Sequence, residues 1–267
     1  MSIQTLYTAA TGMTAMESKL NVVANNLANI NTTGFKKGRA NFEDLFYRHE
    51  VLPGAVDAAG NLTATGTSIG LGTKVSSVQT DFRQGEFNIT NAPLDWAVEG
   101  DGFFQVADSD GTLIYTRAGN FSLNATGDVV MGSASTGRKL DPPIQIPPDA
   151  TDISVSPEGI VSVKQPGQSA LSQVGQLQLA TFVNSEGLLK LGENLYAETE
   201  ASGTATIGNP GVQGVGRVRQ GTLEISNVQP VQELIDLITT QRSFELNSQA
   251  VQAGDQMLQL VANLRRF

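Results

Sequence analysis

LYTAATGMTAMESKLNVVANNLANI, residues 6–30, decides the fold. Leu6, Ala9, Met13, Met16, Leu20, Val23, Leu27 and Ile30 step through it by alternating threes and fours, the spacing of a coiled-coil seam. At the far end Leu246, Ala250, Ala253, Met257, Leu260 and Leu264 repeat that spacing. A second apolar row there, Leu237, Phe244, Val251 and Leu258, lies about 100° round a helix of 3.6 residues per turn. A helix apolar on two faces needs more than one partner. Chain ends are ordinarily the least ordered part of a domain, so ends this apolar predict a subunit that polymerises through them.

The limits of both helices are marked. Asn29-Ile30-Asn31-Thr32-Thr33-Gly34 ends the first, since Asn and Thr compete for backbone hydrogen bonds and Gly34 can take positive φ. Residues 5–30 predict a helix of about 39 Å. Pro230 suits a first helical position, where its missing N–H would be unpaired anyway. Residues 231–264 predict about 51 Å. Glu233 and Asp236 then sit near the positive end of the helix dipole, with Arg265 and Arg266 near the negative end. Gly12, beside Ala9 and Ala10, and Gly254, beside Ala250 and Ala253, are expected where helix backbones approach closely.

Between the helices the pattern is β. Phe103–Val106 and Leu113–Thr116 flank Asp108-Ser109-Asp110-Gly111, a hairpin signal. Leu177, Leu179, Thr181 and Val183 keep period two, and further turns fall at Gly127-Asp128, Pro157-Glu158-Gly159 and Ser185-Glu186-Gly187. Short, evenly spaced strands predict a compact antiparallel domain, a sandwich or partial barrel. Leu52–Thr73 has almost no periodicity and reads as an extended connector.

Composition weighs against catalysis and nucleic acid. The 267 residues include 28 Gly, one His, one Trp and no Cys, which leaves no disulfide or thiolate metal site, and the net charge is −9. Lys36, Lys37 and Arg39 form the one tight basic cluster and read as a solvated or subunit-facing patch. Asp108-x-Asp110-Gly111 begins like a calcium loop, but its twelfth position is Gly119 rather than Glu. Gly211–Gly216 lacks the dinucleotide-binding order, and His49 has no catalytic companion. No catalytic residue, cofactor or metal ligand is expected. The N-terminus has neither the basic region nor the apolar run of a secretory signal.

Asn21-Val22-Val23-Ala24-Asn25-Asn26-Leu27-Ala28-Asn29-Ile30-Asn31-Thr32-Thr33-Gly34-Phe35-Lys36 closely resembles the N-terminal motif of bacterial flagellar rod and hook proteins. Ser226-Asn227-Val228, then Glu233-Leu234 and Gln241-Arg242-Ser243-Phe244-Glu245-Leu246-Asn247, resemble their C-terminal motif. Gly100–Phe104 and Gly192–Tyr196 look like landmarks of the family's β domain. Phe42–Tyr47, Pro53-Gly54-Ala55 and Gly70–Thr73 are most similar to distal-rod members.

The resemblance implies an α+β chain. Residues 1–33 and 228–267 would form a coiled-coil-like helical polymerisation domain, 34–90 and 216–227 a connector and middle region, and 91–215 an inserted antiparallel outer β domain. It implies a tubular homopolymer whose partners are further copies, the proximal rod, hook or hook-junction proteins, the L/P-ring bushing and the flagellar type III export apparatus. It also implies a rod that crosses the periplasm, exported without a cleaved signal. Two other readings of the same residues are a proximal rod or hook subunit, and a β-rich secreted or phage-tail-like binding protein trimerised by its terminal helices.

Overall fold

The computed structural model describes residues 3–56, 62–108, 110–133, 136–167, 170–212 and 214–264. A helix, a long series of antiparallel strands and a second helix make the chain α+β. It divides into two compact units. One takes the residues up to Ala28, Gly38–Thr80 and the residues from Gln229; the other takes Asn29–Lys37 and Asp81–Val228.

In the first unit the helices are α1, Ile3–Ala28, and α2, Pro230–Leu264. The seam spacing carried α1 to Ile30, but the helix ends two residues sooner. Asn29 starts a local turn instead: Thr32 N donates to Asn29 O at 3.2 Å and Thr32 Oγ1 to Asn29 Oδ1 at 3.1 Å. Ile30 therefore lies in the turn beyond the helix. Pro230 opens α2 as expected.

The two helices pack antiparallel, with Asn26 against Glu233, Gly12 against Asn247 and Leu6 against Gly254. A Cβ on Gly12 would fall 3.0 Å from Asn247 Nδ2, and one on Gly254 2.5 Å from Leu6 Cδ2. Both glycines thus mark close approaches, which offset the roughly 1 kcal/mol each costs relative to alanine in a helix.

Of Leu52–Thr73, expected to be a connector without structure of its own, residues 57–61 lie outside the described residues and the others belong instead to a long β-ribbon. Gly38–Asp44 pairs with Thr73–Thr80, Tyr47–Val51 with Thr67–Gly70, and Val56 bridges Leu62. Gly54 N donates to Thr63 O, and Thr63 N to Ala55 O, both at 2.8 Å. The ribbon runs along α1. Thr73 N donates to Thr11 Oγ1 at 3.3 Å, Arg48 Nη1 to Gln4 Oε1 at 3.4 Å, and Gly38 packs on Val22. Its strands escape pattern reading because so little of them is covered: Tyr47–Val51 is exposed at every position. Without a buried face there is no apolar alternation to detect.

In the second unit, Phe103–Ala107 and Leu113–Thr116 form the expected hairpin, closed by Asp108 N donating to Thr112 O, with Gly111 at φ +77°. Ser109, at its tip, lies outside the described residues. Among the described residues this hairpin is the centre of a nine-stranded antiparallel sheet. Trp96, Val98, Phe104, Val106, Leu140 and Leu179 are among the side chains buried on one side of it. On the other, Phe82, Phe103, Tyr115, Phe182 and Tyr196 meet edge to face. Each such pair adds about 0.5–1.5 kcal/mol beyond its buried area.

Candidate assembly surface

The helical unit buries little of its own apolar seam. On α1, Val23 is buried, while Leu6, Met13, Met16, Leu20 and Leu27 are half-buried, as is Ile30 in its turn. The residues best covered on α1 are Ala15, Val23 and Asn26, a stripe offset from the seam that shares only Val23 with it. On α2 the two apolar rows part. Leu237, Phe244 and Val251 of the second row are half-buried, with Leu258 at its end exposed, whereas Leu246, Met257 and Leu260 of the first are exposed, Leu246 to 65 % and Leu260 to 63 %. Leu264 closes the helix, but its side chain lies outside the described residues, as do Arg265 and Arg266. Leu234 of the C-terminal motif, with Val231, Ile235 and Ile238, adds a further exposed apolar patch to the first turns of α2. Exposed leucines scattered singly are ordinary; a continuous apolar face marks an interaction surface.

The motif residues have a different place. Asn26, fully buried, uses its whole amide: Nδ2 donates to Gly38 O at 2.9 Å and to Glu233 Oε2 at 3.1 Å, and Oδ1 accepts from Gly38 N at 2.8 Å. Glu233 is buried by this contact, rather than lying free at the helix end. Asn25 and Ala28 are exposed on α1, and Gln241 and Arg242 on α2, where Arg242 pairs with Glu245 at 3.1 Å.

In the β unit the remaining motif residues are held by contacts within that unit. Asn227 Oδ1 accepts from Lys37 N at 2.9 Å, and its Nδ2 donates to Asp81 O and Arg83 O. Ser226, buried, accepts from Val228 N at 3.3 Å. Thr33 O accepts from Asn194 Nδ2 at 3.0 Å, out of a turn in which Glu193 and Asn194 both have positive φ. Phe35 carries the Lys190 ammonium 5.8 Å above its ring.

Lys36 corrects the sequence reading. It is no solvated patch: its side chain is fully buried, and Nζ donates to Glu224 Oε1 at 2.6 Å and to Arg83 O at 2.8 Å. Gly85 N donates to the same carboxylate oxygen at 2.8 Å, and Arg117 Nη1 lies 3.6 Å from the other. Arg117, also buried, donates to Val98 O and Gly100 O and stacks on Phe103. Burial pushes the pKa of both Lys36 and Arg117 down, with Glu224 opposing the shift in each. Two cations thus share one carboxylate away from water. Lys37 and Arg39 keep more exposed positions. No sequence signal marked Glu224 or Arg117, whose role exists only once segments more than a hundred residues apart meet.

Gly34 completes this arrangement. It sits at φ +68°, its N–H donates to Glu224 O at 2.8 Å, and a Cβ would fall 2.7 Å from Ala118 N. Gly34→Ala adds both backbone strain and a clash with main chain that cannot swing away. We expect it to destabilise the β unit by at least about 2 kcal/mol, read as a lowered urea midpoint.

Among the described residues no cluster of His, Asp and Glu could hold a metal ion, and no helix is long and apolar enough to cross a membrane.

Residues 6–36 match the family model described as flagella basal body rod protein. Residues 97–163 match that of the flagellar hook protein FlgE/F/G D1 domain, and 219–264 that of the flagellar basal body rod FlgEFG protein C-terminal. Each match supplies one member of the buried ion cluster: Lys36, Arg117 and Glu224. The flagellar basal-body rod protein FlgG of Caulobacter vibrioides is 44% identical over 264 residues, covering 98% of this chain and 100% of that protein. The corresponding protein of Borreliella burgdorferi is 42% identical over 266 residues, 99% of each. The flagellar hook protein FlgE of Salmonella typhimurium is 24% identical over 416 residues, covering 96% of this chain and 99% of its own. Matched from end to end by rod proteins, and more distantly by a hook protein, the chain belongs to the FlgG family of flagellar basal-body rod proteins.

Proposed function

We propose that the chain is a structural subunit of the distal rod, self-assembling into a straight helical tube that carries motor torque to hook and filament. The observation that carries this reading is the exposed apolar row of α2, Leu246, Met257 and Leu260, on a helix already packed against α1. Within one chain that row has no use; between copies it supplies the second face that a packed tube requires. In this reading residues 1–33 and 228–267 pair as a coiled-coil-like inner layer. Residues 34–90 and 216–227 make the middle layer, and 91–215 form an inserted outer β domain. The rod crosses the periplasm inside the L/P-ring bushing, between proximal rod and hook or hook-junction proteins, after type III export without a cleaved signal. No catalysis or cofactor enters the reading.

Straightness is assigned to the β-ribbon. Phe46, Leu52, Val56 and Leu62 are exposed along it, with nothing among the described residues to cover them fully. Seated between neighbouring copies, they would block the axial sliding that bending requires. Deleting residues 54–66 shortens the ribbon and leaves both helices intact. Electron micrographs of the deletion chain should show tubes that curve. Tubes as straight as the parent's would move stiffness to the inner helices and make the ribbon a spacer.

A further inference from the structure

Asn26 and Glu233 fix the register in which the two terminal helices pair, we infer, and do so at no gain in stability. Fourteen residues separate Asn26 from Gly12 on α1, and fourteen separate Glu233 from Asn247 on α2, so both contacts belong to one antiparallel register. The apolar rows repeat every seven residues, and a seven-residue slip leaves apolar facing apolar. The glycines do not forbid it either. Slipping one heptad brings Gly12 opposite Gly254 and relieves the close contact of each. The opposite slip carries Asn26 past Pro230, off the end of α2.

What the permitted slip cannot preserve is the polar contact. Asn26 would come opposite Thr240, whose hydroxyl proton already goes to Asp236 O. Glu233 would come level with position 33, past the end of α1 at Ala28, and lose the amide that now donates to it. The N–H and C=O of Gly38, the first residue of the ribbon, are held by the same Asn26 amide. One side chain therefore ties α1, α2 and the ribbon to a single alignment. Buried polar pairs are weak stabilisers, and their best-attested use is to select one register among several that apolar packing tolerates.

The chain lacks cysteine, so a Thr14→Cys, Glu245→Cys pair accepts two spin labels cleanly, at exposed positions level with each other in this register. Their separation is measured by double electron–electron resonance, in the soluble chain and in tubes where labelled subunits are diluted among unlabelled ones. The parent and the Glu233→Gln variant, which still accepts from Asn26, should give one narrow distance. Asn26→Leu with Glu233→Leu, and Asn26→Ala with Glu233→Ala, should each add a second population at a longer distance, its labels offset by about 10 Å, one heptad, along the axis. The leucine pair should melt no lower than the parent. One unchanged distance in both double variants, or a leucine pair whose only change is a lower melting temperature, overturns the assignment. The inference rests on the helices meeting in the assembled rod. Failure of the parent to form tubes would count against that reading, whereas an unshifted distance counts against the register role alone.

Discussion

Glu224→Gln is expected to destabilise the β unit by about 3–5 kcal/mol, the largest effect of any single substitution considered. The change keeps the shape of the side chain and removes its charge, leaving the Lys36 ammonium and the Arg117 guanidinium buried together without a counter-ion. Breaking a buried pair by removing one member costs about 3–5 kcal/mol, a large share of the 5–15 kcal/mol that holds a typical domain. Lys36→Met should be much milder, about 1–2 kcal/mol, because Glu224 keeps Arg117 and the Gly85 N–H. The asymmetry is the signature of two cations sharing one anion. Near-UV circular dichroism and urea titration of both variants decide it. Equal losses from the two would mean that Arg117 takes no part in balancing Glu224.

Leu246→Asp is expected to abolish assembly while leaving the soluble chain as stable as the parent. Leu246 is 65 % exposed in the single chain, so a charge there meets water and costs almost nothing. In a tube where the same position is packed against another copy, the carboxylate would be buried unpaired, which costs several kcal/mol per contact and is repeated at every subunit. Leu20→Asp on α1 provides the contrast. Leu20 is half-buried within its own chain, so that variant should lose helix content in the soluble state as well as assembly. Sedimentation and far-UV circular dichroism separate the two. Normal tubes from Leu246→Asp would show that this row of α2 faces no neighbour.

How far the sequence could be read depended on where each residue's partners lie along the chain. α1, α2 and the 103–116 hairpin announce themselves because helical periodicity, Pro230 and Asp110-Gly111 are local signals. The close helix approaches at Gly12 and Gly254 follow from the same local pattern. Lys36 shows where such reading stops. Beside Lys37 and Arg39 it looks like surface, and only Glu224, 188 residues further on, takes it inside. The ribbon was hidden for the opposite reason: its order comes from backbone pairing and contact with α1, and its side chains alternate in no pattern that burial would impose. The Asn-rich motif was visible as a motif, but its chemistry was not. Asn26 and Asn227 act through backbone and carboxylate partners that the order of residues alone does not bring together.

Polymerisation through the terminal helices underlies every proposed role of the chain. Its most direct test is electron microscopy of the purified full-length chain, brought from denaturant into assembly conditions, with Leu246→Asp prepared alongside. Straight, open-ended tubes of uniform diameter from the parent, and none from the variant, are the predicted result. Closed particles of a few subunits, or tubes that form equally well from Leu246→Asp, would contradict it.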